Sequence, residues 1–159
     1  MVGMTIELAN GNVAKIDAED YERVSAIHWH IDDAGYARTN IWSDGKKTSA
    51  PRMHRFILQE TDRKTHIDHI NGDKLDNRKN NLRVCSNSAN LMNRGKQSNN
   101  SSGYKGVVFD KSRSKWKAEI GFNKKRKFLG RFHTIEEAAL AYNDAAVLYH
   151  GEFAHINEI

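Results

Sequence analysis

Between Arg94 and Gly103 the chain reads Gly-Lys-Gln-Ser-Asn-Asn-Ser-Ser, eight residues without one apolar side chain. Nothing in this stretch can be buried, so it reads as a flexible linker, and the residues on either side must each close a core of their own. The 159 residues then divide into 1–94 and 103–159, joined by 95–102; both parts are within the size range of small domains. A single cysteine, Cys85, excludes an intrachain disulfide and a four-thiolate zinc site. Both cores must rest on hydrophobic burial, and a reducing compartment is the expected home. The apolar runs fall far short of the roughly 20 residues that cross a bilayer, and the N-terminus lacks a basic start followed by an apolar core. The expectation is a soluble cytoplasmic protein with no membrane partner.

Charge is spread unevenly. The formal total is +5, but residues 1–60 hold 7 basic and 9 acidic side chains, 61–100 hold 8 and 4, and 101–159 hold 10 and 7. Positive charge concentrated in the last two-thirds attracts a polyanion, because each phosphate met by Lys or Arg releases condensed counterions. The same excess is also compatible with an ordinary solvated surface.

The first half is expected to form a small sheet with two short helices. Thr5 to Leu8 and Val13 to Ile16 flank Asn10-Gly11, a strong hairpin cue. Asp17 is placed to cap a short helix through Val24, and Pro51 suits the first turn of another through Met53 to Leu58. The second half reads as three strands, Tyr104 to Phe109, Lys115 to Phe122 and Arg126 to Phe132, followed by a helix. In the second strand Trp116, Ala118, Ile120 and Phe122 alternate with Lys117, Glu119 and Gly121, the period of a sheet with one buried face. Thr134 and Glu137 make a capping box, Ala138, Ala141, Ala145 and Leu148 recur at helical spacing, and Gly151 ends the run. The fold class is α+β throughout.

Chemistry is densest from His66 to Asn90, where His, Asp and Asn crowd a stretch poor in apolar residues. Phosphodiester hydrolysis needs a base to deprotonate water and a cation to stabilise charge on phosphate and leaving oxygen. Asp68 offers a hard oxygen to magnesium, and His69, on the opposite side of an extended backbone, would face the water. An isolated His-Asp pair beside Asn71-Gly72 would be no more than a polar turn. Here the order Asp68-His69-Ile-Asn-Gly-Asp, then Asp76-Asn77, then Asn81-Leu-Arg, then Asn90, closely resembles the HNH nuclease family in its phage and intron-encoded homing branch. The resemblance implies a ββα-metal core, a hairpin and helix clasping one divalent ion, most simply Mg2+ with Mn2+ as an alternative. It implies His69 as general base, Asp68 and Asn90 as metal ligands, and Asn81 as the residue that holds the histidine. Asn90 stands where some members carry histidine, and an amide oxygen points to a hard cation. His66, Asp73, Asp76 and Asn77 read first as turn and loop residues. His54-Arg55 would touch phosphate or pack, His28 and His30 read as structural, and Cys85 as a small core residue.

From Gly103 onward, Gly-Tyr-Lys-Gly-Val, Lys115-Trp-Lys-Ala-Glu-Ile, Phe128-Leu-Gly-Arg-Phe and the run from Thr134 to Ala146 resemble the APETALA-type, or ethylene-response-factor, DNA-binding domain. That family lays one sheet face into the major groove. By position the resemblance implies DNA contacts at Lys105, Arg126 and Phe128, with Lys117 and Arg131 on phosphates. Val108, Asp110 and Gly121 stand where plant members carry arginine, so the plant target sequence does not transfer. Taken together, the sequence points to an endonuclease of double-stranded DNA in a bacterial or phage-infected cell, whose first hundred residues cut and whose last sixty position it; a monomer is favoured, but the sequence leaves the oligomeric state open. A DNA-binding regulator with a degenerate nuclease region is the alternative.

Overall fold

A computed structural model describes residues 3–159. The chain forms two compact units that meet in sequence between Ser86 and Asn87.

In the first unit β1 (Gly3–Glu7) and β2 (Val13–Asp17) form the hairpin expected around Asn10-Gly11, with Thr5 opposite Lys15. Gly11 takes φ +78°, the left-handed conformation that the turn needs. A 3-10 turn, Ala18–Asp20, leads into α1 (Tyr21–Ser25). Asp17 does not cap it; its carboxylate instead accepts from the Lys79 backbone N–H at 2.8 Å, tying the hairpin to the later motif. Two small hairpins follow, β3 (His30–Ile31) with β4 (Ala37–Arg38), and β5 (Ile41–Ser43) with β6 (Lys46–Ser49). After Pro51 comes α2 (Met53–Ile57), and then the hairpin of β7 (His66–His69) and β8 (Leu82–Cys85). One core gathers Ile6, Ala14, Ile16, Val24, Trp29, Met53, Ile57, Ile67 and Leu82 from these elements. Trp29 is 1% exposed and donates its indole N–H to the Val24 carbonyl at 2.8 Å, so its single polar atom is satisfied.

The second unit begins with α3 (Asn87–Asn93), continues through β9 (Val107–Asp110), β10 (Lys115–Phe122) and β11 (Lys125–Phe132), and ends with α4 (Ile135–His150). The sheet is antiparallel with β10 central. Val107, Ala118, Ala138 and Ala139 form one cluster, and Ile120, Tyr142, Ala145 and Ala146 a second. Alanines on α4 let the helix backbone approach the sheet, and the Thr134–Glu137 capping box is complete. Gly106 at φ +75° passes so close to Tyr142 that a Cβ there would lie 2.1 Å from the ring.

The division falls earlier than the apolar-free stretch, and residues 95–102 are not a loose tether. Asn100 donates to the Tyr104 carbonyl at 2.8 Å and accepts from the Gly103 N–H at 2.8 Å, while Ser102 donates to the Val107 carbonyl at 2.8 Å. Side-chain to backbone hydrogen bonds, invisible to a search for apolar residues, fold this segment onto the second unit.

Candidate active site

In the β7–β8 ladder His69 stands opposite Leu82 and Asp68 opposite Arg83. Alternation along β7 turns Ile67 and His69 toward the core and Asp68 toward Arg83. The guanidinium of Arg83 meets one carboxylate oxygen of Asp68 at 2.8 Å and 3.1 Å. Both side chains are well buried, so the pair is shielded from solvent screening.

The imidazole of His69 is 4% exposed. Its Nε2 lies 3.1 Å from Oδ1 of Asn77. An amide oxygen only accepts, so Nε2 carries the proton and Nδ1 is the basic nitrogen. Burial holds the His69 pKa below its usual value, against the opposing pull of Asn77, Asp68, Asp73 and Asp76, and the ring is neutral near pH 7. His54 of α2 packs edge-on against it with centroids 5.1 Å apart, and burial pushes the His54 pKa down to about 3. Tyr36 completes the cluster, its ring 5.4 Å from His54 and 5.8 Å from His69.

The loop between the strands explains the density of Asn and Asp. Asn81 accepts from the Asn71 backbone N–H at 3.0 Å and donates to the Asn71 side chain at 2.9 Å and to the Asp76 carbonyl at 2.8 Å. Asp76 is fully buried and takes Arg78 in a two-pronged pair at 2.7 Å and 2.6 Å, which holds its carboxyl below the usual range. Asp73 accepts from the Leu75 N–H at 3.0 Å, as a turn residue should. Backbone bonds between Lys15 and Leu75 and between Asn77 and Lys15, both 2.8 Å, lace the loop to β2.

Asn77, not Asn81, holds the His69 ring, because the three bonds of Asn81 are committed to closing the loop. Asn77 reads as a loop residue in the sequence, and only the fold of the loop shows its amide beneath the ring. His54 carries a weak signal beforehand, a histidine next to arginine in the helix preceding the motif. Asn90 is half-buried in α3 and belongs to the second unit, whereas Asp68 and His69 belong to the first. Among the described residues no three His, Cys, Asp or Glu side chains gather as a metal-binding group. One hard carboxylate on this unit, that of Asp68, could serve magnesium, an ion that keeps several waters and takes one or two carboxylates with substrate phosphate.

On the second unit, register places Lys117 opposite Arg131, Glu119 opposite Phe128 and Gly121 opposite Arg126. A bulge between Ala118 and Glu119 leaves Leu129 as the extra residue on β11. Without it Phe128 and Arg131, three apart, would point to opposite faces. With it the Arg131 guanidinium lies 5.0 Å from the Phe128 ring centroid on the face away from α4. Phe128 is 52% exposed. Lys117 pairs with Glu119 at 3.1 Å and Arg131 with Asp110 at 2.8 Å. Lys105 stands apart from this group. Its amine donates to the Met92 carbonyl at 2.6 Å, and burial lowers its pKa to about 8.

Residues 60–92 match the family model described as HNH endonuclease, and an endonuclease domain of the HNH type occupies this stretch. The chain is similar to an uncharacterized HNH endonuclease of Acanthamoeba polyphaga mimivirus, 29% identical over 154 residues that cover 94% of this chain and 76% of that one. It is 29% identical over 109 residues to Protein 3.8 of Escherichia phage T7, covering 66% of this chain and 89% of that one. A 56-residue segment is 43% identical to an ethylene-responsive transcription factor of Arabidopsis thaliana, covering 34% of this chain and 13% of that protein. Among solved structures, the HNH homing endonuclease I-HmuI aligns at a TM-score of 0.37 and 25% identity, over 42% of this chain and 40% of its own.

Proposed function

We propose that the protein is a metal-dependent endonuclease of double-stranded DNA in which His69 is the general base. The observation that carries this reading is the setting of the His69 ring, buried, with its pKa held down by that burial, and fixed at Nε2 by Asn77. A base must be unprotonated at the working pH and fixed in one orientation, and both conditions are met by Nδ1 here. Asp68 would hold a hard divalent ion, Mg2+ or Mn2+, with Arg83 fixing its carboxylate. By its place in the motif Asn90 would be the second ligand. When bound, such an ion neutralises charge developing on the phosphate and the leaving oxygen. Nδ1 of His69 takes a proton from the attacking water, and Asn77 steadies the imidazolium that results, since its oxygen still accepts from Nε2.

The second unit is proposed to grip duplex DNA in the manner of an APETALA-type domain, with Lys117, Arg126, Phe128 and Arg131 on the exposed sheet face. The similarity to the plant factor and the shared face support this. Lys105 would join them only after leaving the Met92 carbonyl. Supercoiled plasmid incubated with the protein, with and without magnesium, tests the reading: nicked or linear product only with metal is expected, and intact plasmid under both conditions would favour a binding protein without catalysis.

A further inference from the structure

The first unit carries a strongly basic groove that the distribution of charge in the sequence conceals, since residues 1–60 are net acidic. The groove, 820 Å³, lies on the far side of α2 from His69 and is lined by five arginines, Arg23, Arg38, Arg52, Arg55 and Arg63, against one carboxylate, Glu60. Within α2, Met53 and His54 face the catalytic cluster while Arg55 and Phe56 face the groove. The groove is therefore separated from His69 by about one helix diameter, roughly 10 Å.

Two of these charges are answered internally, Arg23 by Asp20 and Arg52 by Asp32. Among the described residues the Arg55 guanidinium donates to backbone carbonyls alone, those of Thr65 and Asp62. Arg63 is exposed and has no hydrogen-bond or ion-pair partner among the described residues. Arg38 is the telling case. An isolated antiparallel bridge sets it directly opposite Arg52, and like charges so placed repel. Yet among the described residues the one hydrogen bond of the Arg38 side chain is from Nε to the Ala50 carbonyl at 3.3 Å. Arg38 is half-buried and Arg52, its side chain 38% exposed, already meets Asp32, so the groove holds more cations than carboxylates, an excess that an anion from outside would complete. Ser49, on the rim, belongs to the β5–β6 hairpin, whose Trp42 is 62% exposed and stands opposite Lys47. An exposed indole on the hairpin that contributes Ser49 to the groove, together with the arginine excess, matches a polyanion that also presents flat rings.

We propose that this groove is a second nucleic-acid contact, holding the phosphate backbone of duplex DNA flanking the cleavage point, with Trp42 against the neighbouring nucleotides. The inference rests on the reading of the chain as a DNA endonuclease. It assigns to the cutting unit a grip of its own, independent of the exposed sheet face.

The test uses the full chain with EDTA present, binding a fluorescently labelled duplex of about 30 base pairs across a range of KCl. Each phosphate contact removed lowers the slope of log K against log salt by about 0.9, so Arg38→Gln with Arg63→Gln should lower it by nearly two. Trp42→Ala should weaken binding with the slope kept. Unchanged melting temperature certifies the fold, and should the double variant unfold, Arg63→Gln alone, at an exposed side chain, should still lose about one unit of slope. Parent-like slopes in the double variant, with wild-type binding normal, would overturn the groove and leave the endonuclease reading intact. No duplex binding by the wild type would overturn both, and a slope change seen with single-stranded RNA but not with duplex would overturn the choice of DNA.

Discussion

His54 and His69 meet edge to face, ring planes at 89° and centroids 5.1 Å apart, although they come from a helix and a strand separated by a loop. Both rings are buried and both have lowered pKa values, because burial opposes protonation of either ring. A buried imidazole that resists protonation makes stability depend on pH. Unfolded, His54 titrates near 6.5; folded, near 3. Between those values the unfolded chain binds more protons, so this contribution is fully present above about pH 6.5 and is lost as pH falls, at about 1.4 kcal/mol per unit. Melting temperature measured from pH 8 to pH 4 should fall on the acid side, and His54→Leu should flatten the curve. An unaltered acid slope in that variant would place the dependence elsewhere.

Asn77 and Asn81 should separate in function. Asn77→Ala frees the His69 ring and is expected to slow cleavage by about ten- to a hundredfold. Asn77→Asp keeps an acceptor but puts negative charge beside the ring, so the His69 pKa rises and the acidic limb of the rate profile moves to higher pH. Asn81→Ala strands the Asn71 N–H and the Asp76 carbonyl, and should cost about 1–3 kcal/mol of stability by denaturant titration. Equal loss of rate in both alanine variants with equal loss of stability would erase the distinction.

Gly106→Ala should destabilise the second unit. The new Cβ would lie 2.1 Å from the Tyr142 ring and 2.6 Å from the Glu119 carbonyl, at φ +75°. Overpacking and left-handed strain together amount to about 3 kcal/mol or more. Calorimetry of the full chain should show loss of stability; a parent-like melting profile would contradict the packing described.

Chelation should stop cleavage, and magnesium or manganese should restore it, since the donors proposed are oxygens. Plasmid cleavage at the parent rate in excess EDTA would remove the metal from the account.

Much of the secondary structure was legible in the sequence for local reasons. Asn10-Gly11 fixes a turn, Trp116 to Phe122 alternate, and Thr134 with Glu137 write a cap, all within a few residues. The Asp68-His69 stretch was legible by its unusual composition. What escaped depends on contacts distant in sequence. Asn77 reaches His69 only because the loop is laced to Lys15, and Asn81, nearer the expected place, is occupied by Asn71. Residues 95–102 look like a linker because polar side chains that bond backbone leave no apolar trace. The arginine groove gathers residues from 23 to 63, so a count of charge along the chain averages it away.

As general base, His69 would act in the chemical step and not in binding. His69→Ala should leave duplex affinity near that of the parent, because the phosphate contacts proposed lie elsewhere, while cleavage under saturating protein falls about a hundred- to ten-thousandfold. Single-turnover cleavage and binding measured on the same duplex separate the two steps. Parallel loss of affinity and rate would make His69 a structural residue, and a folded His69→Ala protein that binds and cuts at the parent rate would contradict the mechanism outright.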